Sequence, residues 1–175
     1  MRLSFEKWEG LGNDFILVRA READITPALV RQLCDRRRGV GGDGVLVVGE
    51  DPPSMIVLNA DGSRPEMCGN GLRCVAGLLA RQEAKTLTVR TDAGERTARV
   101  SWTGRDEAVV EVDMGRAEIG ASASHDWSGR ALRFGAVDVG NPHLITFEAV
   151  EAAGRDDLGP KLERGTPGGT NVEFA

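Results

Sequence analysis

Long apolar runs are what this sequence most plainly lacks. No stretch approaches the roughly 20 residues needed to span a bilayer, and the opening "MRLSFEKWEG" has no apolar core of the kind a secretory signal carries. The expectation is a cytoplasmic protein with no membrane partner. A basic excess is missing too: 22 Lys and Arg stand against 27 Asp and Glu, a formal net charge of −5. Nucleic-acid partners favour a basic face, so that class is set aside. The one basic run, "DRRRG" at 35–39, is short and reads as a solvated helix end. Histidine and cysteine are scarce. His125 and His143 lack ligand spacing, and no metal site is expected. Cys34, Cys68 and Cys74 form no CxxC pair, and their odd number argues against a disulfide scaffold. What remains is a globular composition, 41% hydrophobic and 28% charged over 175 residues, enough for one good core or two small lobes.

The first hundred residues read as strands with two helices. "RLSFEKW" alternates like a strand, "EGLGND" reads as a turn, and "FILVRA" as a second strand. Thr26 and Pro27 are an N-cap and first helical residue, and Gly39 the expected stop of that helix. "GVLVVG" and "SMIVLN" are short strands separated by Pro52 and Pro53. A second helix is expected from Cys68 or Gly69 to about Gln82, with Leu72, Val75, Ala76 and Leu79 on its buried face. "KTLTVRT", "ERTARVSW" and "EAVVEVDMG" are three further strand patterns. Strands and helices do not alternate regularly, so a doubly wound parallel sheet fits poorly. The expected class is α+β, a barrel-like mixed sheet wrapped around a central helix. From about 116 the chain turns small and polar, and "RAEIGASASHDWSGR" reads as a linker or a crossing between lobes. The expected division is a lobe at 1–115, then a linker and an incomplete second lobe at 116–175, with a strand pair in "ALRFGAVDVGNPHLITF" and a short helical piece near 156–163.

The chemistry gathers in "NADGSRPEMCGNGLRC", residues 59–74. A thiol at a helix N-terminus faces unpaired backbone N–H groups and the positive end of the helix dipole, which favours thiolate. Gly69, Asn70 and Gly71 leave room for a carboxylate to approach those N–H groups. Cys34 and Cys74 lie on apolar helix faces and read as packing residues. "GLGND", "NADGS" and "GNPH" are Asn/Asp/Gly stretches, each by itself an ordinary turn or a ligand contact. His143 is either a satisfied surface histidine or a base. "RRRGVGGDG" has a phosphate loop's glycines but neither its spacing nor its Lys-Ser/Thr.

Taken together, "GLGNDF" (10–15), "RRRGVGGDG" (36–44), "NADGSRPEMCGNGLRC" (59–74), "GNPH" (140–143) and "GGTNVEF" (168–174) resemble diaminopimelate epimerase, one of the amino-acid racemases that work without pyridoxal phosphate. The resemblance implies two pseudo-symmetric lobes, each a barrel-like sheet around a helix, and a homodimer. It also implies a cofactor-free reaction on a small amino-acid substrate, in which one cysteine thiolate takes the α-proton and a second thiol returns one on the opposite face. On this resemblance Cys68 is the first cysteine and His143 its partner. Asn13, Asn59, Asn141 and Asn171 hold the distal end of the substrate, while Gly69 and Asn70 cradle the reacting carboxylate.

The resemblance has gaps. It puts the second cysteine downstream of "NVEF", and neither Cys34 nor Cys74 matches it, so the expectation is a C-terminally truncated chain with one half-site. Gly44 stands where some relatives carry a substrate-contacting glutamine. Two other readings stay open: a racemase or isomerase of another small amino acid, and a non-catalytic remnant that binds substrate without turning it over.

Overall fold

The computed structural model describes residues 3–175, which divide into two compact units that meet in sequence between Met114 and Gly115. Unit 1 is a seven-stranded sheet whose strands follow chain order: β1 (Phe5–Gly10), β2 (Asn13–Val18), β3 (Gly44–Glu50), β4 (Pro53–Asn59), β5 (Lys85–Thr91), β6 (Gly94–Trp102) and β7 (Ala108–Val112). Neighbours are antiparallel except β2–β3 and β4–β5. Each parallel step needs a crossover, and the helices supply it: α1 (Pro27–Cys34) joins β2 to β3, and α2 (Gly69–Ala80) joins β4 to β5.

The residue alternation explains why the sheet curls around α2. Phe15, Leu17, Leu46 and Val48 point to α2, while Ile16, Val18, Val45 and Val47 point to α1. Buried on both sides, β2 and β3 read as continuous apolar runs, as strands covered by helices on both faces do. β5 instead alternates, with Leu87 and Val89 inward and their neighbours exposed. From α2, Leu72, Val75, Ala76 and Leu79 fill the concave side, and the helix touches all seven strands. The expected central helix is therefore present.

Local chemistry moved several boundaries. "EGLGND" is not a six-residue turn. Only Leu11 and Gly12 turn, both with positive φ (51° and 91°), so Gly10 and Asn13 pair across a two-residue hairpin. Arg2, within the first strand pattern, lies outside the described residues. The first helix stops at Cys34, well short of Gly39. There the Asp35 carboxylate takes the amides of Arg37 (2.8 Å) and Arg38 (3.0 Å), offering the chain a turn in place of another helical step. α2 ends at Ala80, because Arg81 and Gln82 adopt left-handed backbone angles.

Unit 2 is a four-stranded sheet in the order β11-β10-β9-β8, built from β8 (Glu118–Trp127), β9 (Arg130–Asp138), β10 (Pro142–Thr146) and β11 (Asn171–Phe174). β8 corrects the expected linker. It is a ten-residue strand paired to β9, but its side chains from Glu118 to Ser124 are all exposed, so no apolar alternation marks it. α3 (Ala152–Gly165) is also longer than the expected 156–163 and carries Pro160 within it; Leu158 and Leu162 pack against Leu132 and Phe134, and Gly154 lies against Trp127. Among the described residues no helix is long and apolar enough to cross a membrane.

Candidate active site

Sheet register brings the first group of residues to one rim of unit 1. β2 pairs with β3 at Phe15–Gly44, and β3 pairs with β4 at Gly44–Asn59. Asn13 opens β2, Asp43 immediately precedes β3, and Asn59 closes β4, so all three lie at the same end of the sheet. The start of α2 meets that rim as well: Asn70 Nδ2 donates to Asn13 Oδ1 at 2.8 Å. Gly10 makes the approach feasible, because a Cβ there would sit 3.0 Å from the Asn70 carbonyl and 3.1 Å from Cys74 Sγ. Asn59 is exposed, and its Nδ2 donates to Ser63 Oγ at 3.0 Å.

Cys68 is the N-cap of α2, with Sγ accepting from the Gly71 amide at 3.4 Å. The amide of Asn70 supports the sulfur too, and the Arg73 charge favours its ionised form. The expected thiolate is nonetheless not what this environment yields. The thiol is half-buried, and burial pushes its pKa up from the ordinary value against the pull of the two amides and Arg73. Cys68 is therefore held at the helix start as a thiol, and its ionised form gains population only as the pH rises.

The other two cysteines are packing residues, as expected. Cys34, the last residue of α1, is 5% exposed, and Cys74, within α2, is 2% exposed. Burial raises both, Cys74 to about 12. This has a sign for stability. Below about 9 the folded and unfolded chains both carry the Cys74 proton; from there to about 12 the unfolded chain loses it first. Stability is expected to fall as pH rises through that window, and the destabilisation caused by Cys74→Ala to shrink with it. Urea midpoints measured from neutral to alkaline pH for both proteins check this.

Ion pairs buttress the rim. Asp43 Oδ2 accepts from Asn13 Nδ2 (3.1 Å) and from the Asp14 amide (3.0 Å), while its Oδ1 accepts from Arg36 (2.8 Å). Arg36 also grips both oxygens of Asp14, at 2.6 and 3.0 Å, and Lys7 Nζ lies 2.7 Å from Asp14 Oδ2. Arg36 and Lys7 hold the Asp14 carboxyl well below the usual range. The basic run at 35–39 is exposed, as a solvated helix end is, and Arg36 within it also pairs with the rim. Asp14, Arg36, Asp43 and Arg73 were not singled out from the sequence. Arg73 stands three residues after Asn70 on a helix, a spacing that brings side chains together.

Unit 2 assembles the second group. β10 and β11 run parallel with His143 opposite Asn171, and Asn171 Nδ2 donates to the Pro142 carbonyl at 3.2 Å. His143 Nδ1 lies 2.6 Å from Glu173 Oε1, and Nε2 lies 3.1 Å from Asn141 Oδ1. Both ring nitrogens thus face side-chain oxygens. Glu173 is a further residue missed in the sequence, although it sits two places from Asn171 on one strand face. A carboxylate accepts only, so the neutral ring is expected to keep its proton on Nδ1. Glu173→Ala is expected to shift that tautomer balance, read from the ring 15N resonances of His143.

The family profile described as Diaminopimelate epimerase matches residues 5–120. The Nostoc punctiforme diaminopimelate epimerase is 37% identical over 204 residues, taking in 99% of this chain and 72% of the relative. The chain belongs to the diaminopimelate epimerase family. A Cyanothece diaminopimelate epimerase is 40% identical over 205 residues, with 99% of this chain and 72% of the relative covered. These matches run over more positions than the chain has residues, so the relatives carry segments with no counterpart here. Among solved structures, a predicted epimerase from Pseudomonas aeruginosa superposes with a TM-score of 0.64 at 20% identity, covering 97% of this chain and 69% of that one. A hydroxyproline epimerase from Agrobacterium vitis gives 0.66 at 14% identity, covering 94% and 60%. At such identities these two likenesses concern the diaminopimelate-epimerase-like fold alone.

Proposed function

We propose that the chain acts at the α-carbon of diaminopimelate, with Cys68 as the base. The observation that carries this reading is the cysteine at the start of α2, with its sulfur on backbone amides and two side-chain amides on the adjoining rim. The α-proton of an amino acid is very weakly acidic, so the developing negative charge needs fixed donors near the carboxylate. In the proposed step the fraction of Cys68 that has lost its proton to solvent acts: the Cα–H bond breaks and an S–H bond forms on the thiolate. The electron pair stays on Cα and spreads into the carboxylate, which on the family resemblance lies in the cradle of Gly69 and Asn70. The reading needs no cofactor. Asn13, Asn59, Asn141 and Asn171 take the distal end, and His143 the role of thiol partner, on the family resemblance. That resemblance also supplies the setting, a cytoplasmic homodimer in lysine and peptidoglycan-precursor synthesis.

Inversion needs a second proton donor on the opposite face. Cys34 and Cys74 are locked in the apolar cores and cannot supply it. This favours a second reading beside the first: the described residues form one half-site, which binds substrate and exchanges its proton without inverting it. The test is α-proton loss from LL- and meso-diaminopimelate in D₂O under reducing conditions, beside proline and glutamate. The account expects loss from diaminopimelate alone. Loss from proline or glutamate alone would move the substrate to another small amino acid, and loss from none would leave a binding remnant.

A further inference from the structure

The amides of Asn70 and Asn13 form a chain with a charge at each end. Arg73 Nη1 donates to Asn70 Oδ1 at 2.8 Å, Asn70 Nδ2 donates to Asn13 Oδ1 at 2.8 Å, and Asn13 Nδ2 donates to Asp43 Oδ2 at 3.1 Å. An isolated carboxamide can turn over and exchange its oxygen for its nitrogen. A guanidinium has only donors and a carboxylate only acceptors. Flipping Asn70 would set its NH₂ against Arg73 and its oxygen against the Asn13 oxygen. Flipping Asn13 would set its oxygen against the Asp43 carboxylate. The two ends therefore dictate the orientation of both amides.

We propose that Arg73 and Asp43 are positioning residues that lock the amides of Asn13 and Asn70 in one orientation, so that a zwitterionic amino-acid ligand beside the α2 start meets a fixed pattern of donors and acceptors. The assignment rests on the reading of the site given above and extends it. Stability is a poor explanation for the arrangement. Asp43 is 37% and Arg36 58% exposed, and ion pairs that open to water contribute little. Geometry is the better one. Asp43 is itself fixed from three sides, by the Asp14 amide, by Arg36, and through its own amide, which donates to the Asp14 carbonyl at 2.8 Å. Its Oδ2 is an immobile acceptor at the foot of Asn13. At the other end Arg73 is carried on α2, one turn from Cys68, so the relay joins the helix start to the opening of β2. With one N–H and one lone-pair direction of each amide used inside the chain, the remaining ones point in directions the ligand does not choose. A substrate end with its ammonium and carboxylate exchanged, or with either missing, leaves those groups unpaired.

The test uses the full chain with Asp43→Asn, Arg73→Gln and Arg73→Lys. The first two replace an end group by an amide that can itself turn over, and the third keeps a donor-only cation. Melting temperatures, side-chain NH₂ resonances of Asn13 and Asn70, and titration with meso-diaminopimelate are measured on each. The expected result is a roughly tenfold weaker dissociation constant for Asp43→Asn and Arg73→Gln, near wild-type affinity for Arg73→Lys, and unchanged melting. In Asp43→Asn the Asn70 amide resonances should move as well as those of Asn13, because the relay transmits the change. Wild-type affinity in Asp43→Asn and Arg73→Gln overturns the proposal. If the wild-type chain does not bind meso-diaminopimelate, the proposed substrate fails and the resonances decide the relay. Movement of Asn70 in Asp43→Asn supports it, and a change confined to Asn13 overturns it.

Discussion

Replacing Cys68 by alanine is expected to lower α-proton exchange of diaminopimelate by about 10²–10⁴-fold, the usual contribution of a positioned proton acceptor, and to leave the fold intact. The structural cost is small because Sγ is a long cap, 3.4 Å from the Gly71 amide, and only one of several contacts seating the helix start. Cys68→Ser separates the two roles. A hydroxyl caps better than a thiol but is far too weak an acid to yield a base here, so the serine variant should melt like wild type and still fail to exchange. The pH dependence carries its own sign. Burial raises the thiol above its ordinary value, so the thiolate fraction at neutral pH is small and exchange should climb through the alkaline range. A plateau starting at neutral pH would show that the helix start outweighs burial. Exchange that persists in Cys68→Ala would place the base elsewhere.

Leu72→Ala is expected to have the largest effect on stability, a loss of about 2–5 kcal/mol. Leu72 is fully buried in the concave core, in the turn that follows Cys68, and its amide donates to the Cys68 carbonyl at 2.9 Å. Deleting its side chain leaves a cavity beneath the first turn of α2, whose surroundings in the curled sheet cannot close fully. The same change should loosen the seat of the thiol, so exchange measured below the unfolding transition should fall too. Urea denaturation checks the first effect. A loss under about 1 kcal/mol would mean that neighbouring strands relax into the cavity, contrary to the close packing expected of this core.

Much of this was legible in the sequence because it rests on periodicity. The inward row Leu72, Val75, Ala76 and Leu79 has helical spacing, and "FILV" and "VLVV" are short apolar runs, so the central helix and its sheet could be written down before any coordinates. β8 could not, since "EIGASAS" lies exposed and carries no apolar alternation. The end of α1 was misplaced for a different reason. A glycine is a conspicuous stop signal, but Asp35, four residues before Gly39, takes the Arg37 and Arg38 amides with its side chain. The candidate site was half legible. Glycine, asparagine and cysteine stand out in turns and helix starts, whereas Asp43, Arg36 and Glu173 are ordinary surface residue types. Their importance comes from partners 7 to 30 residues away, such as Asp43 for Arg36 and His143 for Glu173. The raised Cys68 value was not legible at all: sequence shows the helix start, but only packing shows how far the sulfur is withdrawn from water.

The most direct test of the central claim, that Cys68 is the ligand-facing thiol, is the rate of iodoacetamide alkylation at each of the three cysteines in the folded chain. Peptide mapping reads each site, across pH, with and without meso-diaminopimelate. The account predicts that Cys68 alone reacts, that its rate keeps climbing past the ordinary thiol range, and that meso-diaminopimelate slows it. Equal reaction at Cys34 or Cys74, or a Cys68 rate indifferent to meso-diaminopimelate, would contradict it.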